Sequence, residues 1–385
     1  MRGQAVPIRS DHGQSLVLPR VGSFVILSWK ARLAELHPAY FSLVMATGIV
    51  AISSHLFGLP HFAMVLSWIN LIAYPMIWVL FIARWFLFPK NVLNDFRDHA
   101  RAPGYFTIVA ATGVFGAQAA ILHGSTSAAT ILWWVCVAQW MVCTYSVFTL
   151  LTVKPDKPTL AEGINGGWLV AVVATQSVCV LGCILNGTVL GDKSDTLFVL
   201  MTFWLGGGML YLWTIGLIFY RYMFFRFSPT DLMPPYWINM GAVAISTLAG
   251  GLLAESIESV AMLAPLRPFV LGLTVMFWAT ATWWIPMLLV LGFWRHVFRK
   301  VPLVYDPHYW GLVFPVGMYS VCTFRLAELF DVPYLLWIAR LFVIAAAAVW
   351  LLVFLGLSRR LLYSIFFEIW RHSLHTILKG QEMTR

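Results

Sequence analysis

Charge is what this sequence has least of. Only 11% of its residues are Asp, Glu, Lys or Arg, where a soluble globular domain carries about 25%. A chain of 385 residues could enclose a large core, but it would still need a charged coat to stay in water, so a water-soluble domain is excluded. Cysteine is scarce as well. The five present, at positions 136, 143, 179, 183 and 322, all lie inside apolar runs, so no disulfide framework is implied. Cys179 and Cys183 share a helix face at i, i+4, but their segment offers no His or carboxylate to complete a metal site. Both read as small buried apolar residues. There is no HExxH pair, no haem-type pair of mid-span histidines and no Gly-rich phosphate loop. His55, His61, His123 and His308 fall at the ends of apolar runs, and His372 and His375 in the tail have no further ligand beside them. No catalysis, metal or cofactor is expected. The chain stays polar to Arg20, and Val21–Trp29 is short and lacks a cleavage site, so no signal peptide is read.

In place of charge there is hydrophobicity: 60% of the residues are apolar and the mean hydropathy is +0.81. A helix needs about 20 apolar residues to cross the hydrocarbon of a bilayer. Ten segments qualify: 39–58, 62–86, 104–123, 128–152, 167–190, 196–220, 236–259, 268–294, 309–330 and 334–357. The sequence thus predicts an all-α integral membrane protein, with a segment 1–38 before the ten-helix domain 39–357 and a tail 358–385 after it. Short connections make consecutive helices antiparallel neighbours. In the tail, Leu362, Ile365, Phe366, Ile369, Trp370, Leu374 and Ile377 recur at helical spacing among basic residues. That pattern predicts an amphipathic helix on the membrane surface.

The net charge of +9 is spread between apolar runs rather than gathered on one face, which argues against nucleic acid as a partner and for orientation by loop charge. Arg84, Lys90, Arg97, Arg101, Lys154, Lys157, Arg221, Arg226, Arg295, Arg299 and Lys300 fall on one side. The other side has Lys193, Arg267, Arg325 and Arg340 with Asp192, Asp195, Glu255, Glu258, Glu328 and Asp331. The alternation requires an even number of spans and places both termini in the cytoplasm, in a cell membrane. Ionisable residues inside a span are costly and mark function, and the spans are almost empty of them. Glu255, Glu258 and Arg325 lie near the outer ends of the seventh and ninth spans and are expected to form an outer vestibule cluster of ion pairs.

The spans hold Gly, Pro and small polar residues instead. Thr47, Gly48, Gly113, Gly241 and Ser246 are candidates to line a path, as are the Gly and Pro residues 311, 315 and 317. Broken helices are tolerated where they face protein or a water-filled cavity, and enrichment in odd-numbered spans suits five hairpins that each give one inner helix. Close packing of small residues explains much of the same pattern, and it explains the Gly206-Gly207-Gly208 run of the sixth span.

His37-Pro38-Ala39-Tyr40-Phe41 leading into Met45-Ala46-Thr47-Gly48-Ile49-Val50, Pro234-Pro235-Tyr236-Trp237-Ile238-Asn239-Met240-Gly241, and Tyr309-Trp310-Gly311-Leu312-Val313-Phe314-Pro315 together resemble the tellurite-resistance/dicarboxylate transporter family. That family includes fungal malate permeases, sulfite efflux pumps and plant slow anion channels. The resemblance implies five helical hairpins around a central pore with odd helices inside, a homotrimer, and a pore gate at Phe314. Gly311, Pro315 and Gly317 would form the hinge of that gate, because Pro315 cannot donate to the carbonyl of Gly311. It further implies passage of small anions of the malate, sulfite, chloride or nitrate class through a largely uncharged pore. Weak binding suits conduction, helix dipoles with Thr47 and Ser246 would supply mild positive potential, and loop Lys and Arg would concentrate anions at the inner mouth. A proton-coupled dicarboxylate or sulfite carrier is the alternative, with Glu255 or Glu258 as proton carrier. A membrane-bound redox enzyme is a second.

Overall fold

Inside hydrocarbon a backbone N–H or C=O finds no water, so an apolar segment that crosses must bond to itself throughout its length. The chain answers with helix almost everywhere. A computed structural model describes residues 29–185, 189 and 191–382, with side chains through Tyr363. Among these residues ten helices are long and apolar enough to span. They are α1 (Pro38–Leu56), α2 (Pro60–Leu87), α3 (Ala102–Ile121), α4 (Thr126–Val153), α5 (Gly166–Ile184), α6 (Lys193–Phe224), α7 (Pro234–Ile257), α8 (Ala264–Phe298), α9 (Pro307–Phe330) and α10, whose spanning part is Tyr334–Tyr363.

The bounds follow the expected segments closely, with three differences. α5 stops at Ile184, and the sequence beyond Leu185 is Asn186-Gly187, a turn-forming pair. α6 runs on to Phe224. The helix of α10 continues unbroken to Glu382, so the tail backbone extends the last span rather than starting a new helix. Most of the apolar stripe expected there lies beyond Tyr363, outside the described side chains. Of the segment before α1, a short helix Trp29–Ala34 is described, and residues 1–28 lie outside.

The spans alternate between two layers. The odd helices are 72–83% buried and the even ones only 22–33%, so the odd set forms a core and the even set a lipid-facing shell. α1 packs on α3, α3 on α5, α5 on α7, α7 on α9, and α9 back on α1. Each outer helix lies across its hairpin partner and the next inner helix, and α10 closes the circle by packing on both α9 and α1. All five inner helices therefore run in the same direction, with their N-terminal ends on the side of the chain termini.

Glycines let this ring draw tight. A Cβ on Gly48 would come 2.4 Å from Val114, on Gly113 2.8 Å from Ser177, on Gly241 2.6 Å from Pro315 and on Gly317 2.9 Å from Ile49. On Gly166 it would meet the backbone of Pro235 at 2.4 Å. Every inner-to-inner seam thus has a position that admits no larger residue, the packing that small residues permit between membrane helices. The shell is tied to the core by indole donors. Trp133 of α4 donates to the Val178 carbonyl at 3.0 Å and Trp204 of α6 to that of Ser246 at 2.9 Å. Trp278 of α8 donates to the Thr323 hydroxyl, and Trp350 of α10 to that of Thr47, each at 3.0 Å. On α2 an amide replaces the indole: Asn70 donates to the Val44 carbonyl and to Gln118.

Each inner helix opens with a 3-10 turn, at Pro38–Phe41, Ala102–Tyr105, Gly166–Leu169, Pro234–Trp237 and Pro307–Tyr309. At the first, His37 caps the helix through Nδ1, which accepts the Ala39 N–H at 3.0 Å. Its ring stands edge-on to His308, 4.8 Å between centroids, and His308 meets the Asp306 carboxylate at 2.6 Å. Burial, with the charges of His308 and Arg101 adding to it, pushes the His37 pKa from 6.5 down to about 3; a protonated Nδ1 could not accept the capping bond. The unfolded chain therefore binds a proton there below pH 6.5 that the folded one refuses, and stability must fall as pH drops toward 3. A thermal melt in detergent is expected to lose roughly 2 kcal/mol between pH 7 and 5 from this group. His37→Asn, which keeps the cap acceptor, should flatten that part of the profile. Asp306, held below its usual range by the His308 hydrogen bond, contributes only in a more acid window, below the ordinary carboxylate value of 3.8.

Candidate functional site

A cavity of about 60 Å³ lies on the axis of the ring, toward the end opposite the termini, and every inner helix contributes to its wall. One water needs roughly 10–15 Å³, so the space fits several waters or a small, partly dehydrated ion. The wall is built in tiers. Ile49, Val114, Ser177, Ile245 and Met318 form the first, Ile52, Ala117, Val180, Leu248 and Val321 the second, and Leu56, Ile121, Ile184, Leu252 and Arg325 the third. In all five helices the tiers are separated by three and then four residues, the step that keeps one face of an α-helix toward a common axis. The five helices are thus in register with one another.

One turn toward the termini, four residues before the first tier, the same face carries Met45, Ala110, Val173, Gly241 and Phe314. Phe314 is 1% exposed, so it is not a lipid-facing aromatic. It shares its helix face with Met318, Val321 and Arg325, and the cavity wall reaches no further toward it than the first tier and the neighbouring Gly113. The α-helix of α9 runs without a break through Pro315. Pro315 fills the notch left by Gly241, Gly317 lies against Ile49, and a Cβ on Gly311 would come 3.8 Å from Ile238 and Pro235.

Of the other residues singled out from sequence, Gly113 is on the cavity wall. Thr47 turns its hydroxyl to Trp350 of the shell. The Ser246 hydroxyl bonds back to the Ala242 carbonyl and its own carbonyl receives Trp204. Gly48 and Gly241 sit in the seams between inner helices. The outer ionisable residues form two pairs: Arg325 with Glu328 at 2.9 Å and Arg267 with Glu258 at 3.5 Å. Glu255 lies in the field of both arginines and of Glu328.

The basic residues at the terminal end are in part structural rather than free to attract anions. Arg84 is 1% exposed, 2.7 Å from Asp95 and bonded to the Ala34 carbonyl. Arg221 is bonded to the Ala161 carbonyl at 2.7 Å and to the Tyr236 hydroxyl. Arg295 donates to the Leu232 carbonyl.

The tiers were missed in the sequence, where each span is apolar on all sides and no single one betrays its inner face. The signal that could have found them is the recurrence of Pro or Gly followed by aromatics at Pro38-Ala39-Tyr40-Phe41, Pro103-Gly104-Tyr105-Phe106, Gly166-Gly167-Trp168, Pro234-Pro235-Tyr236-Trp237 and Pro307-His308-Tyr309-Trp310. Aligning those starts brings the tiers into register.

Comparison with known proteins agrees with this architecture. Residues 35–357 match the family described as voltage-dependent anion channel. An uncharacterized membrane protein of Mycobacterium tuberculosis is 36% identical over 156 residues, 40% of this chain and 79% of that protein. An uncharacterized transporter of Methanocaldococcus jannaschii is 22% identical over 76% of this chain and 85% of its own length. A sulfite efflux pump of Trichophyton rubrum is 24% identical over 84% of this chain and 90% of its own. With a match across all ten spans, the chain belongs to the voltage-dependent anion channel family, and the role that membership carries is anion transport across a membrane.

Proposed function

We propose that the chain is an anion channel or exporter whose pathway is the axis of the inner ring and whose gate is the Phe314 side chain. The observation that carries this reading is the register of the five inner helices. It gives an apolar cavity, with Phe314 one turn below the first tier on the same face of α9. Met45 is the other long side chain of that tier, beside Ala110, Val173 and Gly241, so the phenyl ring has small neighbours to swing past. Pro315 removes the hydrogen bond that would otherwise stiffen the helix at Gly311.

The parallel inner helices place five positive dipole ends at the terminal side, which favours an anion there without binding it tightly. The cavity tiers are aliphatic apart from Ser177 and Arg325. Discrimination among anions then rests on pore width and on the work of removing water from the ion. Glu255 is exposed and lies off the cavity wall, as does Glu258, which favours passive conduction over proton coupling. Sulfite enters as a cargo candidate through the named activity of fungal relatives, alongside chloride, nitrate and malate. A homotrimer in the plasma membrane, with cytoplasmic termini, completes the proposal.

Reversal potentials in reconstituted bilayers test it. Weakly hydrated nitrate is expected to be more permeant than chloride, and chloride more than divalent malate. Currents that follow a pH gradient and ignore the anion gradient would support a proton-coupled carrier instead.

A further inference from the structure

Arg325 is the one charged residue among those that line the cavity, and its place in the third tier puts it at the mouth. Around it the rim holds charges of both signs. Glu328 lies one turn further out and pairs with it at 2.9 Å, Glu258 pairs with Arg267 at 3.5 Å, and Glu255 stands within the field of Arg325, Glu328 and Arg267. Two guanidinium groups thus face three carboxylates, and the Lys193 ammonium, 2.9 Å from the Ser259 hydroxyl beside Glu258, balances the third, so Arg325 is the charge an anion meets on the wall itself. Leu56, Ile121, Ile184 and Leu252, the other members of the tier, offer an ion nothing in return for its lost water.

We propose that Arg325 is the side chain that draws small anions through the rim into the cavity, and that Glu328 moderates it. The proposal rests on the channel reading above. The guanidinium is 36% exposed and Glu328 46%. The pair is therefore solvated and weak, and an arriving anion can replace the carboxylate on the guanidinium without a large desolvation penalty. A mid-pore arginine would hold an anion too long to conduct; at the mouth the same charge raises local anion concentration while the aliphatic tiers below keep binding weak. Because both groups are wet, their influence must fade with salt: the Debye length shrinks from about 30 Å at 0.01 M to about 3 Å at 1 M.

The test uses the full chain in lipid bilayers, with Phe314→Ala as the conducting background and chloride as the probe at low and high concentration. Arg325→Gln is expected to lower conductance about threefold at about 0.02 M salt and to change it little at 1 M. Arg325→Lys should retain the low-salt conductance, and Glu328→Gln should raise it. A loss equal at both salt concentrations, or a failure of Lys to rescue, overturns the proposal, since packing and not charge would then be at stake. If Phe314→Ala and all its derivatives carry no anion current at either salt, the channel reading itself falls and takes this inference with it. A conducting background that is indifferent to residue 325 overturns the inference alone.

Discussion

Phe314→Ala is expected to raise anion conductance about tenfold or more over the parent chain, because it removes the largest side chain from the narrow tier. The ring is 1% exposed and lies one turn below the first cavity tier, where its truncation is expected to open the axis. Single-channel recording in planar bilayers checks this. Conductance no greater than that of the parent chain would remove Phe314 from the role of gate and leave the aliphatic tiers as the barrier. Phe314→Leu serves as the control: a bulky apolar residue in the same place should remain mostly closed.

Arg84→Ala is expected to cost about 3 kcal/mol of stability, the usual result of removing one partner from a buried ion pair. Arg84 lies 2.7 Å from Asp95, with side chains 1% and 7% exposed, and its guanidinium also donates to the Ala34 carbonyl through Nε and Nη2. Arg101 would still hold Asp95 at 2.6 Å, so the carboxylate keeps one partner, while the helix Trp29–Ala34 loses both guanidinium bonds to the Ala34 carbonyl and keeps only the Asn91 amide there at 3.3 Å. The loss should appear as a lower melting midpoint in detergent and as new proteolysis near residues 29–36. Unchanged melting and proteolysis would show that Arg101 alone secures the corner. Anion selectivity is expected to stay the same, because the Arg84 charge is already spent on Asp95.

The ten spans were legible because the cost of an unsatisfied backbone in lipid leaves one solution for a long apolar run. Loop charge implied an even number of spans, but the order of inner and outer helices came from the family resemblance, because the Gly206-Gly207-Gly208 run of α6 breaks the enrichment of glycine in the odd spans. What the sequence obscured was helix phase. In a soluble helix the polar face shows which side is out, but in α1, α5 or α7 buried residues run all round the helix and no face stands out. Thr47 and Ser246 are polar, which made them candidates for the path; the Thr47 hydroxyl instead accepts the Trp350 indole of the shell, and the Ser246 hydroxyl bonds back to the Ala242 carbonyl of its own helix. Arg84 read as a loop charge, and its burial depends on Asp95 eleven residues later, a meeting that no spacing rule announces. Arg325 and Glu328 could be paired by spacing alone, but only the tier at Leu56, Ile121, Ile184 and Leu252 shows that the arginine lies on the wall.

The closing of α9 and α10 onto α1 also has a meaning for biosynthesis. Ser53 bonds to Ser320, 267 residues away, and Thr47 to Trp350, 303 away. At roughly 5–20 residues per second, the ribosome takes about 15–60 s to deliver those partners after α1 has been made. During that interval the earlier hairpins form an open trough, and α1 waits in the membrane with the Thr47 and Ser53 hydroxyls unpartnered and the Ile49 face that receives Gly317 uncovered. Any substitution that lets α1 find another partner during the wait, or that delays the last hairpin, threatens the protein before it has a pore to lose.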